Sequence, residues 1–588
     1  MKKVILFLSL ISFFSCQKEK NAAQKNPQLN QIISDYYEDQ LKLSPISATI
    51  NGDNRYNDLL TIDFSDSHRA LVKNTLEKYQ KSLQAIDREN LNSNDQLTYD
   101  LILRELDLGL EGLAFSENLI PLNQFYGFHL TFAQLGSGSV IQPFTSVKDY
   151  ENWSKRMVKG AAYLDSSIVY FRKGMAAGHV LPKALIAKII PQLDAFHVKD
   201  IKESTFYGPL KMLPKNISDE DKKRIIALYE KNIQEIILPA YSRLATFMKD
   251  EYLPKGRQSS GISDIPNGKA YYQYLIRTMT TTDKSADEIY QTGLSEVKRI
   301  KTEMEKTKDA VGFKGDLKAF FEFMRSDPKF TPFKSPAEVL TAFETIHKKM
   351  EPALKTMFGR VPKSPFEIRQ TEAFRSASAS AEYFAGSEDG KRPGIFYVPI
   401  IDAKKFNLTS GMESLFLHEA IPGHHYQISL QQENGDLPKF RRFGGNSAYA
   451  EGWALYTESL GKELGLYTDP YQYMGALGDE MHRAIRLVVD AGMHSKNMSR
   501  EEAIKYMMDN EPLSKEGTIA EIERYMAIPA QALSYKIGAL KIREIRERLH
   551  KQLRSKFKLS DFHDEILKDG NMPLEVLEKK MDRWAEKL

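Results

Sequence analysis

Leu417-His418-Glu419-Ala420-Ile421-Pro422-Gly423-His424-His425-Tyr426-Gln427 sets three imidazoles and one carboxylate within eight residues, inside a run of helical periodicity from Ser410 to Gln432. A lone histidine on such a run reads as a core residue. A His-Glu pair with two more imidazoles close behind, in a chain of only 12 histidines, reads as a metal site. In the zincin pattern H-E-x-x-H, the two histidines at i and i+4 lie about 40° apart on one helical face and share an ion. Here position i+4 after His418 is Pro422. His424 at i+6 would point away on a regular helix, and His425 at i+7 would lie about 10.5 Å along the axis. Pro422 has no N–H and its ring clashes with the carbonyl of His418, while Gly423 opens backbone angles closed to other residues. A kink or bulge at Pro-Gly would swing His424 back toward His418. His424 is therefore the preferred second ligand and His425 the alternative.

A catalytic zinc site keeps one position open, so a third protein ligand is needed. Glu451 and Glu458 stand seven residues apart in Ala450-Glu451-Gly452-Trp453-Ala454-Leu455-Tyr456-Thr457-Glu458, on one face of a helix with apolar neighbours. Glu451 is taken as ligand and Glu458 as the acceptor that orients a histidine. Glu419 becomes the general base for water, expected to pass its proton to a leaving amine. An oxyanion needs further donors. The candidates are His494, Arg524, Tyr525, Gln531 and Tyr535, with Arg486 or Lys536 to hold a substrate carboxylate. Asp490 could pair with Arg486 at i+4 as plain helix support.

The 588 residues are 42% hydrophobic, enough for a large core, and carry a net charge of +4 with both signs dispersed. No nucleic-acid partner is expected. Met1-Lys2-Lys3 followed by apolar Val4 to Phe14 is too short to span a membrane and reads as a signal segment. It ends at Ser15-Cys16, the one cysteine, and resembles a lipoprotein cleavage site. Residues 1–16 are thus expected to be a signal peptide with lipobox, Cys16 the lipidated residue, and polar residues 17–30 a flexible tether.

Helical periodicity recurs in Asp95–Leu110, Ser218–Glu251, Ala286–Thr307, Ser335–Phe358, Gly444–Leu464, Asp469–His494, Arg500–Asp509, Ile519–Arg554 and Pro573–Leu588. Capping-box spacing at Ser285–Glu288 and Ser499–Glu502 supports two of the starts. The best strand is Gly394-Ile395-Phe396-Tyr397-Val398-Pro399, read as an edge beside the cleft where Phe396 and Tyr397 would meet an extended peptide. The Gly/Ser/Pro-rich stretch Arg257–Lys269 suggests a boundary between an N-terminal helical half, residues 31–260, and a C-terminal half, 261–588, that carries the chemistry.

His418–Gln427, Glu451–Glu458, Arg486–His494 and Pro529–Gly538 together resemble the bacterial domain-of-unknown-function family 885, as do Ser44–Asp53, Pro121–Gln124 and Asp389–Tyr397. That family looks like a distant relative of helical gluzincin peptidases. The resemblance implies a mainly α fold with a deep channel, a small β element near the site, and one Zn2+ held by His, His and Glu. The expectation is a lipid-anchored envelope metallopeptidase, periplasmic or outer-membrane facing, that acts on short peptides as an oligopeptidase or carboxypeptidase. The alternatives are a zinc amidase or deacylase, and a metal-free peptide-binding lipoprotein.

Overall fold

The computed structural model describes residues 25–138, 141–371, 380–386, 393–409 and 411–588. The fold is mainly α, with one small sheet. The elements that frame the site are helices α1 (Ala286–Ala310) and α2 (Pro336–Met357), strands β1 (Phe366–Gln370), β2 (Glu382–Phe384) and β3 (Gly394–Val398), and helices α3 (Met412–Leu415), α4 (His424–Glu433), α5 (Ser447–Glu458), α6 (Pro470–Ser495), α7 (Lys515–Ala527) and α8 (Leu533–Leu553). Ser285 and Ser499 each form the reciprocal capping box with the glutamate three residues on.

Two long pairings fix the frame: α1 lies along α6, and α5 along α8. The second is backbone against backbone. A Cβ on Gly538 would sit 2.0 Å from the Ala448 carbonyl oxygen, so only glycine permits the approach. Beneath the segment that carries His418 and His424 lies an apolar cluster that includes Val339, Phe343, Phe396, Phe416, Trp453 and Ile542, joining α2, β3, α3, α5 and α8. A larger core cluster takes Phe132, Trp153 and Tyr241 from one side of residue 260 and Ile485, Val488 and Tyr525 from the other. One apolar interior thus crosses the expected boundary.

Several expectations need correction. A helix spans Pro27–Leu43, capped by the Asn26 side chain, so the expected tether is already helical at residue 27. Cys16 and residues 17–24 lie outside the described residues, as do Asp389 and Gly390. Gly394–Val398 is the central strand, parallel to β1 and antiparallel to β2, so both its edges are paired and none is left for a peptide. The run Ile519–Arg554 is two helices, broken at Pro529-Ala530, where Ala530 takes φ 67°. Among the described residues no helix is long and apolar enough to cross a membrane.

Candidate metal centre

Helix α3 runs into a π-turn, Phe416–Ala420, that carries His418 and Glu419. The helix stops there. Ile421 is extended, the Ile421–Pro422 bond is cis, and α4 restarts at His424. Pro422 cannot continue the ladder, and Gly423 lets the chain fold back on itself. A Cβ at Gly423 would lie 1.9 Å from the His418 carbonyl oxygen and 2.3 Å from that of Leu417. Helix α5 is tied to this break twice. The Trp453 indole donates to the Pro422 carbonyl (2.9 Å), and the Thr457 hydroxyl to that of Leu417 (2.8 Å).

These ties bring Glu451 and Glu458 to the histidines. Ligand atoms of His418, His424 and Glu451 lie within 4.8 Å of one another, the one such group among the described residues. Glu451 Oε2 is 3.4 Å from His418 Nε2 and 3.6 Å from His424 Nε2. Ligands about 2.0–2.1 Å from a tetrahedral zinc stand roughly 3.3 Å apart, so the donors fit such an ion. His418 Nδ1 meets Glu458 Oε1 at 2.7 Å, so with a cation at Nε2 the ring would keep its proton on Nδ1. Burial would push the His418 imidazole down, yet hydrogen bonds to Glu451 and Glu458 outweigh it and hold it well above its ordinary value. Burial likewise opposes charge on Glu451, but the two histidines keep it well below the usual carboxylate range.

His425 faces the sheet instead. Its Nδ1 meets the Tyr383 hydroxyl at 2.9 Å, and burial pushes it down to about 4. Glu419 is half-buried on the wall of a cavity of about 780 Å³ lined also by His418, His424, Glu451 and Tyr535. The strand bordering this cleft is β2, through Glu382 and Tyr383.

Of the other residues read from sequence, Arg486 and Arg524 line the cleft. His494 does not. It is fully buried, accepts from the Ile262 amide at 2.9 Å and donates to the Tyr525 carbonyl at 3.0 Å. Burial pushes it down to about 3, so it is a neutral structural link and cannot act on an oxyanion. Tyr525 is buried behind the wall, accepting from Arg486 Nε (2.8 Å) and donating to Glu521, so it positions other groups. Gln531 accepts from Arg524 at 3.1 Å and does not line the cleft. Phe396 packs on Phe343 in the core, and Tyr397 lies beside Phe384; neither reaches the cleft. Lys536 is buried between Glu296 and Glu480. Asp490 pairs with the Tyr272 hydroxyl (2.5 Å) and the Ala530 amide (3.1 Å), not with Arg486.

Sequence reading missed His482, Arg483 and Glu521, which line the same wall. The first two precede Arg486 by four and three residues, so helical spacing from that arginine was the signal available.

The chain matches the model of a bacterial protein family of unknown function over residues 45–581. It is similar to a crystal structure of a candidate lipoprotein from Colwellia psychrerythraea, with TM-score 0.86 and 27% identity, covering 95% of this chain and 99% of that one. A candidate lipoprotein of unknown function from Shewanella oneidensis shares the fold, with TM-score 0.74 and 20% identity over 94% of this chain and 99% of that one. No curated protein matches. With the family model spanning nearly the whole of the helical fold and its His418–His424–Glu451 cluster, the chain belongs to the bacterial DUF885 family.

Proposed function

We propose that this protein is a metal-dependent hydrolase of short peptides, with zinc held by His418, His424 and Glu451. The observation that carries the reading is the convergence of those three donors within 4.8 Å beside the half-buried Glu419 in one cleft. A zinc ion there would supply Lewis acidity and make water a nucleophile at neutral pH.

The chain's own residues then have separate tasks. No hydrogen bond among the described residues ties down the Glu419 carboxylate, so it is available to take the proton of the attacking water and give it to the leaving amine. Glu458 fixes the His418 ring and its tautomer. Tyr535, half-buried on the cleft wall with its ring under the Arg486 guanidinium at 4.8 Å, is the candidate donor to the oxyanion. The signal-like segment ending at Cys16, together with the lipoprotein description of the Colwellia relative, supports a lipid-anchored protein of the cell envelope.

The test is metal content and peptide hydrolysis of the full chain beside three variants. Wild type is expected to carry one zinc per chain, His424→Ala to lose it and His425→Ala to keep it. Glu419→Gln should keep the metal and lose at least about a hundredfold in kcat. A wild type that takes up no zinc when supplied with it would sink the hydrolase and favour a peptide-binding protein.

A further inference from the structure

The cleft wall facing the metal-ligand group is built from arginines. Helix α6 puts His482, Arg483 and Arg486 on one face, and α7 adds Glu521 and Arg524. The charges are unevenly matched. Arg486 holds Glu521 at 3.2 Å and the Tyr525 hydroxyl at 2.8 Å, and Tyr525 itself donates to Glu521. The wall's carboxylate is therefore occupied by its neighbours. His482 is bound to buried Glu511 at 2.8 Å. That leaves Arg483, which donates to the Asp479 carbonyl at 3.3 Å and lies 3.7 Å from its carboxylate, and Arg524, which donates to the Gln531 side chain at 3.1 Å and lies 3.5 Å from Glu521, as the cations without a close carboxylate. Both also keep a buried Nε–H with no acceptor. Guanidiniums lining one cleft are the donors that a carboxylate takes.

Arg483 also stands close to the metal-ligand group. Asp479, one turn before it, accepts from Ser414, one turn before His418 (2.5 Å), and Arg483 interacts electrostatically with Glu458, the partner of His418.

We propose that the cleft recognises the free C-terminal carboxylate of a peptide between Arg483 and Arg524, and so removes residues from the C-terminal end. This rests on the hydrolase reading above. A side-chain carboxylate offers the same chemistry, and the test separates the two. Zinc-loaded full chain is given matched peptides ending in a free acid or an amide, each with and without an internal glutamate, and products are identified by mass. Acids should lose their last residue, and amidation should lower kcat/KM at least tenfold whether or not the glutamate is present. Arg483→Gln and Arg524→Gln should raise KM for the acid at least tenfold more than they raise it for the amide. Equal cleavage of acid and amide, rescue of the amide by the internal glutamate, or internal cuts overturn the proposal.

Binding separates its failure from that of the hydrolase. Calorimetry on Glu419→Gln should show the acid binding at least tenfold tighter than the amide, even if no peptide is ever cut. Equal affinities, or none, sink the carboxylate site. Either arginine variant that fails to fold, by circular dichroism, leaves the other arginine and the acid–amide comparison on the unaltered cleft to decide.

Discussion

Asp490 shows how a single buried carboxyl sets a pH response. Burial pushes it up to about 7, against the hydrogen bonds from Tyr272 and the Ala530 amide. The folded value lies above the 3.8 of an ordinary carboxyl, so folding favours the protonated form. That contribution is complete below about pH 4 and is lost as the pH rises through about 7. Asparagine keeps an acceptor for Ala530 and has no proton to lose. Relative to wild type, Asp490→Asn should therefore gain about 1.4 kcal/mol per pH unit across that window. Thermal melts at pH 5 and pH 8 check this, and an identical difference in Tm at both values would refute it. The same residue marks where sequence reading stops. His418, His424, Glu451 and Glu458 were legible because their spacing lies within two short segments. The partners of Asp490 and His494 are Tyr272, Ala530, Ile262 and Tyr525, far away in sequence, so nothing local said that these groups face the core.

At the scale of the element, the break between α3 and α4 makes the site. It was legible as a disturbance, because proline and glycine occupy the positions where H-E-x-x-H would continue, but its size depends on how closely Gly423 approaches His418. Gly423→Ala should collide with two carbonyl oxygens, move His424 and lower zinc affinity at least tenfold, with about 1–3 kcal/mol lost in stability. Gly435→Ala, where a Cβ would meet nothing within 4 Å, is the control and should do neither. A Gly423→Ala chain that binds zinc like wild type would show that the close approach is not required. The broken run after Ala527 was less legible. Its helical periodicity continues through Pro529, and only the left-handed Ala530, held by Asp490, reveals the turn.

For the whole molecule, the mainly α class followed from the repeated 3.6-residue pattern, whereas the sheet order did not. β3 was visible as an apolar run, but β1 and β2 are polar or short and gave no signal that β3 would be enclosed. The candidate ligands His418, His424 and Glu451 come from two segments of the apolar cluster beneath them, so an ion should bind the folded chain far better than the unfolded one. Zinc at a hundred times its Kd should then add about 2.7 kcal/mol and raise Tm, and a chelator should reverse it. A Tm indifferent to both would argue that no ion spans the segments.

The turn at Gly423 has a consequence for recognising such centres in other chains. A pattern search that insists on the helical interval between two histidines assumes an unbroken helix. In this chain the interval is six residues, and room in the backbone, not the helical period, decides whether the second imidazole arrives. Zinc on His418 and His424 would make the transferable signature two histidines with a glycine immediately before the second, whatever the count between them.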